Sequence, residues 1–198
     1  MMQQYIPGAT VVGIASKDGV VLASERRYTY GNYVISKNVK KVFQITENIG
    51  AACAGMVGDM QVLVKNIQAL IRLRELETGK KSRTNSVAKL MSVIMFENRL
   101  YPLLTQVIVG GVSDSPEIYA LDPLGSVLPD KYIAIGSGEE IAIGVIENDY
   151  RDDITTEEAV DLAIRAIKSA IKRDAASGDG VDMLIIRKNG SELKSIEF

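Results

Sequence analysis

The residues of this chain that could carry chemistry are carboxylates, lysines and hydroxyls, because the sequence contains no histidine. Ser-His-Asp and Cys-His hydrolases are therefore excluded, and the single cysteine, Cys53, has no imidazole to activate it. Zinc sites that use histidine are excluded for the same reason. A nucleophilic mechanism would have to take its base from a lysine or from a free α-amine. A threonine activated by its own terminal amine is one of the few schemes that needs no imidazole.

A motif near the amino terminus comes closest to such a scheme. Gly8-Ala9-Thr10-Val11-Val12-Gly13 is followed at fixed distances by Glu25-Arg26-Arg27, Lys40-Lys41 and Ala54-Gly55. Each landmark alone is more often structural than functional, since Glu25 and Lys41 could form an exposed ion pair. The landmarks gain weight from their number, and the others are Lys17-Asp18-Gly19-Val20-Val21, Val57-Gly58-Asp59, Val109-Gly110-Gly111, Gly136-Ser137-Gly138 and Lys172-Arg173-Asp174-Ala175-Ala176-Ser177-Gly178.

Together these landmarks resemble an archaeal-type proteasome β subunit, and the resemblance runs from Gly8 to about Ile186. In that family a glycine precedes the threonine that becomes the first residue of the mature chain, and this sequence has Ala9 at that position. The resemblance implies an α+β fold, the four-layer αββα sandwich of amino-terminal nucleophile hydrolases. It also implies a short pro-segment over residues 1–8, expected to stay uncleaved, and a single domain over residues 9–198.

The resemblance assigns roles to residues at matching positions. Ala9 takes the nucleophile position, Lys41 matches the lysine that lowers the proton affinity of the threonine, and Glu25 matches the acidic residue that pairs with it. Ser137, Asp174 and Ser177 match the polar shell around the terminal amine. The backbone N–H of Gly55 matches the donor that faces the developing oxyanion. These roles agree with elementary chemistry, because a hydroxyl nucleophile needs a base, a nearby cation and an oxyanion donor.

The resemblance also suggests where substrate binds. Thr29 matches a residue whose backbone pairs with an extended peptide. The pocket for the side chain that precedes the cleaved bond is expected to be lined by apolar, small or uncharged residues, which favours cleavage after hydrophobic residues: Tyr28, Val39, Phe43, Cys53 and Val57. The alternative is that several of these residues are only core.

The alanine at position 9 has two interpretations. In the first, Ala9 replaces a threonine in an inactive form of the chain, so that no hydroxyl attacks the Gly8 carbonyl and residues 1–8 remain attached. In the second, Ala9 is native and the subunit has an assembly role in the ring. Thr10 is a poor substitute, because a slip of one residue would reverse the side chains of the first strand. In both interpretations the chain is silent as a threonine endopeptidase.

The amino-acid composition argues against nucleic acids and membranes as partners. The 198 residues are 46% hydrophobic and 24% charged, with a net charge of −2, so no basic field points to nucleic acid and no apolar run suggests a membrane span. The resemblance implies a heptameric ring of β subunits, proteasome α subunits, and unfolded proteins delivered by an ATPase cap, in the cytoplasm. No cofactor or metal is expected. A free-standing amidase of the same fold is a further alternative, although no polar pocket for a small substrate is evident.

The spacing of apolar residues along the chain predicts the helices and strands that must position these residues. Apolar residues at helical spacing predict two consecutive helices in the middle of the chain and two more towards its end, and alternating or β-branched runs predict strands on either side. Thr155-Thr156-Glu157-Glu158 is a capping box that opens the last helix. The predicted strands are 10–16, 20–24, 41–45, 50–54, 104–109, 117–121, 131–135, 181–188 and 191–197, and the predicted helices are 59–77, 85–99, about 139–148 and one from residue 156 onward.

Overall fold

The structure is a computed structural model that describes residues 8–197. Its strands are β1 (Val11–Ala15), β2 (Gly19–Glu25), β3 (Tyr28–Tyr30), β4 (Tyr33–Ser36), β5 (Val42–Thr46), β6 (Ile49–Gly55), β7 (Thr105–Val112), β8 (Pro116–Leu121), β9 (Leu128–Asp130), β10 (Tyr132–Ile135), β11 (Val181–Arg187) and β12 (Gly190–Ile196). Its helices are α1 (Val57–Thr78), α2 (Thr84–Glu97), α3 (Glu139–Asp149) and α4 (Thr156–Ile171).

Two five-stranded antiparallel sheets form the inner layers. The first has the order β10-β1-β2-β11-β12 and the second the order β5-β6-β7-β8-β9. Every residue of β2 and of β6 is buried, so these two strands have no solvent-exposed face. An apolar cluster between the sheets holds their inner faces together, with Val11 and Leu22 from the first and Ala52 and Ile108 from the second.

Helices cover the outer face of each sheet. Residues of α3 and α4 pack on β1, β2 and β11 in one apolar cluster, and residues of α1 and α2 pack on β6 and β7 in another. The order of the layers is therefore helices, sheet, sheet, helices. This arrangement confirms the αββα sandwich expected from the sequence.

The structure contains three short strands that the sequence analysis did not predict. β3 and β4 form a separate two-stranded hairpin, and β9 adds an edge to the second sheet. These strands have three or four residues, and β9 is fully exposed, so none of them shows a clear apolar alternation. Helix α1 begins at Val57, two residues before the predicted start, because nothing in the apolar spacing marks the first turn of a helix.

Helix α4 is tied to the turn between β1 and β2. The capping box is present, with the Thr155 side chain accepting from the Glu158 N–H and the Glu158 carboxylate accepting from the Thr155 N–H. The Asp18 carboxylate accepts from the N–H of Thr156 at 3.0 Å and from its hydroxyl at 2.8 Å. One carboxylate thus joins the first hairpin to the start of a helix that lies 138 residues away in the chain.

Asp18→Ala is expected to lower the free energy of unfolding by about 1 kcal/mol, the usual effect of losing a side chain that caps a helix. Burial acts to raise the pKa of Asp18, but the hydrogen bonds from Thr156 outweigh it and hold the pKa below the ordinary 3.8. A group with a depressed folded pKa stabilises the fold above its unfolded pKa and loses that effect as the pH falls through the folded value. The difference between the two proteins should be full at pH 7 and shrink as the pH falls from 3.8 through the lower pKa of folded Asp18, measured by urea unfolding. Asp18→Asn, which keeps an acceptor, should retain most of the stability at pH 7, and an equal loss in both variants would contradict this account.

No helix within residues 8–197 has the length and apolar character that crossing a membrane requires.

Candidate active site

A glycine-rich turn, residues 136–138, forms hydrogen bonds with both backbone polar groups of residue 9. The Ala9 N–H donates to Ser137 Oγ at 3.1 Å, and the Ala9 carbonyl accepts from the Gly138 N–H at 3.2 Å. Gly136 has φ +95°, and a Cβ at this position would overlap the Ala9 carbonyl oxygen, so the close approach requires glycine. Ala9 itself is 1% exposed. The predicted nucleophile position is therefore a fixed and enclosed part of the backbone.

A chain of hydroxyls and one carboxylate extends from this turn. Ser137 Oγ and Ser177 Oγ each donate to Asp174 Oδ2 at 2.6 Å. Thr10 Oγ1 shares a hydrogen bond of 2.7 Å with Ser177 Oγ. The structure thus brings together Ser137, Asp174 and Ser177, as predicted, and adds the Thr10 hydroxyl. Because that hydroxyl is fully buried and bonded to Ser177, Thr10 does not occupy the place of residue 9.

The second polar group is an ion pair between Lys41 and Glu25, whose side chains are 2% and 0% exposed. The sequence left open whether these residues form an exposed pair, and the structure shows that they are buried. Lys41 Nζ donates to Glu25 Oε1 and to the Arg27 carbonyl, the latter at 2.5 Å. Glu25 Oε2 also accepts from the Arg27 N–H at 2.6 Å and from the Gly178 N–H at 3.0 Å. The carboxylate is therefore held by three donors, as a buried charge requires.

Burial lowers the pKa of the Lys41 ammonium, and the carboxylates of Glu25 and Asp174 oppose this effect. Burial likewise raises the pKa of Glu25, although the ammonium of Lys41 and the two backbone N–H donors act to lower it. A buried lysine whose pKa is lowered gives up its proton more readily than an exposed one. The Lys41 side chain is thus suited to passing a proton to or from a neighbouring group.

The two polar groups belong to one site. The Glu25 N–H donates to the Thr10 carbonyl at 3.2 Å, which places Glu25 beside the residue that follows Ala9. The Asp174 carboxylate acts on the pKa of Lys41, so the charges of the two groups influence each other. Pairing of β1 with β2 and with β10 explains why residues so distant in sequence meet here: β2 ends in Glu25, and β10 leads into the Ser137 turn.

Gly55 ends β6 next to a cavity of about 520 Å³. It has φ +131°, and a Cβ there would overlap the Leu104 carbonyl, so this position also requires glycine. The cavity is lined by Gly55 and Gln106 of the second sheet and by Gly8, Ser137 and Glu139 from outside the strands. Gly55 and the turn that holds residue 9 therefore line the same cavity.

The predicted substrate residues fall into two groups. Phe43, Cys53 and Val57 belong to the apolar cluster under α1 and α2, and Cys53 is completely buried, which raises the pKa of its thiol to about 12. Tyr28 and Val39 lie half-buried outside that cluster, and the Val39 N–H donates to the Arg26 carbonyl at 2.9 Å. Thr29 is buried in β3 and pairs with Val34 of β4. Three of the five residues predicted to line the pocket thus share one apolar cluster, and one of these, Cys53, has no exposed surface.

Sequence reasoning missed three residues that hold the site. Arg27 Nε donates to Asp179 at 2.8 Å, and Arg27 Nη1 donates to the Ala175 carbonyl at 3.1 Å, so its side chain fixes the segment that carries Ser177. Asp179 adopts φ +68°, which is uncommon for a residue other than glycine. Gln106 accepts from the Gly136 N–H at 3.1 Å. A polar residue inside the apolar run of β7 was a visible signal for Gln106, whereas nothing local indicates the Arg27–Asp179 pair, 152 residues apart.

No group of three or more side chains that could bind a metal occurs within residues 8–197. The arrangement offers a buried lysine, a polar shell beside the backbone nitrogen of residue 9, and a glycine beside a cavity. These are parts that a hydroxyl nucleophile would use at position 9. Ala9 supplies the backbone of that position without the hydroxyl.

Comparisons with known proteins agree with this arrangement. A model of the proteasome subunit family matches residues 7–186. Proteasome subunit beta 1 of Nitrosopumilus maritimus is 54% identical over 191 residues, 96% of each chain, and proteasome subunit beta 1 of Cenarchaeum symbiosum is 54% identical over 186 residues, 94% of this chain and 96% of the relative. Proteasome subunit beta 1 of Staphylothermus marinus is 47% identical over 194 residues, 98% of this chain and 91% of the relative. These findings confirm the resemblance inferred from the sequence, and the chain belongs to the proteasome subunit family.

Proposed function

We propose that this chain is a β subunit of a proteasome core particle, with a site built for threonine-type endopeptidase chemistry that lacks its nucleophile in Ala9. The observation that carries this proposal is the intact surroundings of residue 9. Its N–H and carbonyl are both held by the Ser137 turn. The Ser137–Asp174–Ser177 chain begins at that turn, and Glu25, the partner of Lys41, donates its N–H to the carbonyl of the adjacent Thr10. β subunits among the relatives support the same conclusion.

In this proposal each group has one role. A threonine hydroxyl at position 9 would be the nucleophile, the neighbouring Lys41 would favour its deprotonated form, and Glu25 would hold the lysine in place. Ser137, Asp174 and Ser177 would position the free amine that cleavage after Gly8 exposes. The Gly55 N–H would stabilise the tetrahedral oxyanion.

Substrates of the particle would be unfolded proteins, bound as extended chains. The backbone of Thr29 would pair with the peptide, and the side chain before the cleaved bond would enter a pocket formed by Tyr28, Val39, Phe43 and Val57 together with the buried Cys53. These five residues carry no charge, which favours cleavage after hydrophobic residues. Phe43 and Val57 pack against one apolar cluster and remain partly exposed, which supports this preference.

Ala9 leaves two forms of the proposal. In the first, the chain is an inactive Thr→Ala form of a catalytic subunit, and residues 1–8 stay attached as an uncleaved pro-segment to the domain over 9–198. In the second, the subunit is natively silent and serves assembly. The buried Lys41–Glu25 pair supports the second form too, because its bonds are satisfied without a hydroxyl at position 9.

The exposed apolar side chains of the helical layer support assembly with other proteasome subunits. Helix α1 buries one face in the apolar cluster but leaves Leu73 and Leu76 more than half exposed, and beyond α2 Leu100 and Tyr101 are 82% and 90% exposed. Such residues on a lone chain indicate surfaces that partners cover. We place the subunit in a heptameric β ring next to α subunits, served by an ATPase cap, in the cytoplasm.

Mass measurement in solution tests the assembly. The chain alone should give a monomer or small oligomers, and mixing it with archaeal proteasome α subunits should give a particle of stacked seven-membered rings. Leu100→Asp/Tyr101→Asp should weaken incorporation, because it places charge in an apolar interface, whereas Lys188→Asp on the β11–β12 turn serves as a surface control. A stable monomer that never enters a large particle with any matching α subunit would contradict the proposed function.

A further inference from the structure

Gln106 is a polar side chain of the second sheet that reaches the turn following β10 of the first sheet. It lies in β7, paired with Ala54 of β6, next to the pair formed by Gly55 and Thr105. Its Oε1 accepts from the Gly136 N–H at 3.1 Å, across the space between the sheets. Because a backbone N–H is the donor, the side chain must present its oxygen here.

The hydrogen bond from Gly136 to Gln106 fixes the residue whose backbone conformation determines the direction of the turn. Gly136 has a positive φ and lies against the Ala9 carbonyl, and the next two residues hold the N–H and the carbonyl of residue 9. A shift of Gly136 would therefore move both contacts to residue 9. Gly55, one residue along the same strand pair from Gln106, would stay in place.

We propose that Gln106 is a positioning residue: its side-chain oxygen fixes the turn of residues 136–138 against the strand that ends in Gly55, and so sets the amine of residue 9 relative to the oxyanion donor. Its importance for catalysis rests on the proposed function, whereas its hold on the turn does not. The polar shell of Ser137, Asp174 and Ser177 around residue 9 does not include this residue.

A second acceptor lies close to the same donor. Burial raises the pKa of the Glu139 carboxyl and the Gly136 N–H opposes that effect, and the Glu139 N–H donates to the Gly136 carbonyl at 3.1 Å. Glu139 opens α3 and lines the same cavity. Variants of the two residues must therefore be compared with each other.

Hydrogen exchange of the full chain with Ala9 tests the hold on the turn without any need for activity. In Gln106→Met, which keeps the length of the side chain but removes the acceptor, exchange at the amides of residues 136–138 should rise about tenfold. Gln106→Glu keeps an acceptor oxygen and should restore the parental rate. Gln68→Met, which removes an exposed glutamine of α1 bonded to the Gln44 carbonyl, should leave these amides unchanged.

Two results would overturn the hold on the turn. One is parental exchange in Gln106→Met. The other is faster exchange at these amides in Glu139→Met but not in Gln106→Met, which would show that Glu139 holds the turn.

Kinetics in an Ala9→Thr particle test the consequence for catalysis. Gln106→Met should lower kcat between about 10-fold and about 100-fold with KM little changed. The acid limb of the pH–rate profile should move to lower pH, because an amine that loses the Ser137 acceptor binds its proton less tightly. Gln106→Glu should recover most of kcat.

Faster exchange with parental kcat and an unmoved acid limb would overturn the positioning role. An Ala9→Thr parent without activity would instead overturn the catalytic part of the proposed function, and the exchange measurement would still decide what Gln106 holds.

Discussion

An Ala9→Thr chain assembled with α subunits is expected to hydrolyse peptides after apolar residues, whereas the Ala9 particle shows no such activity. The substitution adds a hydroxyl to a backbone that is already held at its N–H by Ser137 and at its carbonyl by Gly138. The buried Lys41 and the polar shell need no further change. Fluorogenic peptides with an apolar or an acidic residue before the cleaved bond would measure both the activity and the preference.

Ala9→Val is the matched control, because valine has the shape of threonine without the hydroxyl. It should assemble equally well and remain silent, which separates the chemistry of the hydroxyl from the effect of a larger side chain at a position that is 1% exposed. Activity in Ala9→Val would show that another protein or site cleaves the peptides. An assembled but inactive Ala9→Thr particle would support the natively silent form of the proposal.

Removal of the lysine charge should abolish that activity. In the Ala9→Thr background, Lys41→Met is expected to lower kcat by at least about 100-fold, within the range for losing a group that moves a proton in the transition state. The reason lies in the buried ammonium, whose pKa burial lowers and whose neighbours are carboxylates. Steady-state kinetics on the assembled particle measure the loss.

The burial of the pair calls for a control on folding. Loss of Lys41 alone leaves the Glu25 carboxylate buried without its partner, which costs about 3–5 kcal/mol of stability. The double variant Glu25→Gln/Lys41→Met removes both charges, and the glutamine oxygen can still accept from the Arg27 and Gly178 N–H groups. It should recover most of the stability while remaining inactive. If either folded variant kept the parental kcat, Lys41 would have only a structural role as the partner of Glu25.

The sequence predicted the larger elements well because their apolar periods were long. The helix pairs and the paired strands that carry Glu25, Gly55 and Ser137 all lie within a few residues of their predicted bounds. The capping box at Thr155 was readable because its partner, Glu158, lies three residues away. The hairpin of β3 and β4 was missed, since short exposed strands have no strong period.

The site was predictable only in part. Residue types and family positions indicated Lys41, Glu25, Ser137, Asp174 and Ser177, but whether the ion pair is buried depends on the packing of two sheets and could not be inferred locally. The bond from Arg27 to Asp179 and the one from Gln106 to Gly136 join segments far apart in the chain. Such contacts arise from the fold as a whole, so no local pattern marks them.

The intact mass of the β chain recovered from an assembled Ala9→Thr particle tests the central claim most directly. The attack of the restored hydroxyl on the Gly8 carbonyl depends on the neighbouring lysine and on stabilisation of the oxyanion, as peptide cleavage does, and it frees the α-amine of residue 9. The account predicts the mass of a chain that begins at residue 9, alongside the full-length mass of the Ala9 and Ala9→Val chains. A full-length mass for Ala9→Thr within a correctly assembled particle would contradict it.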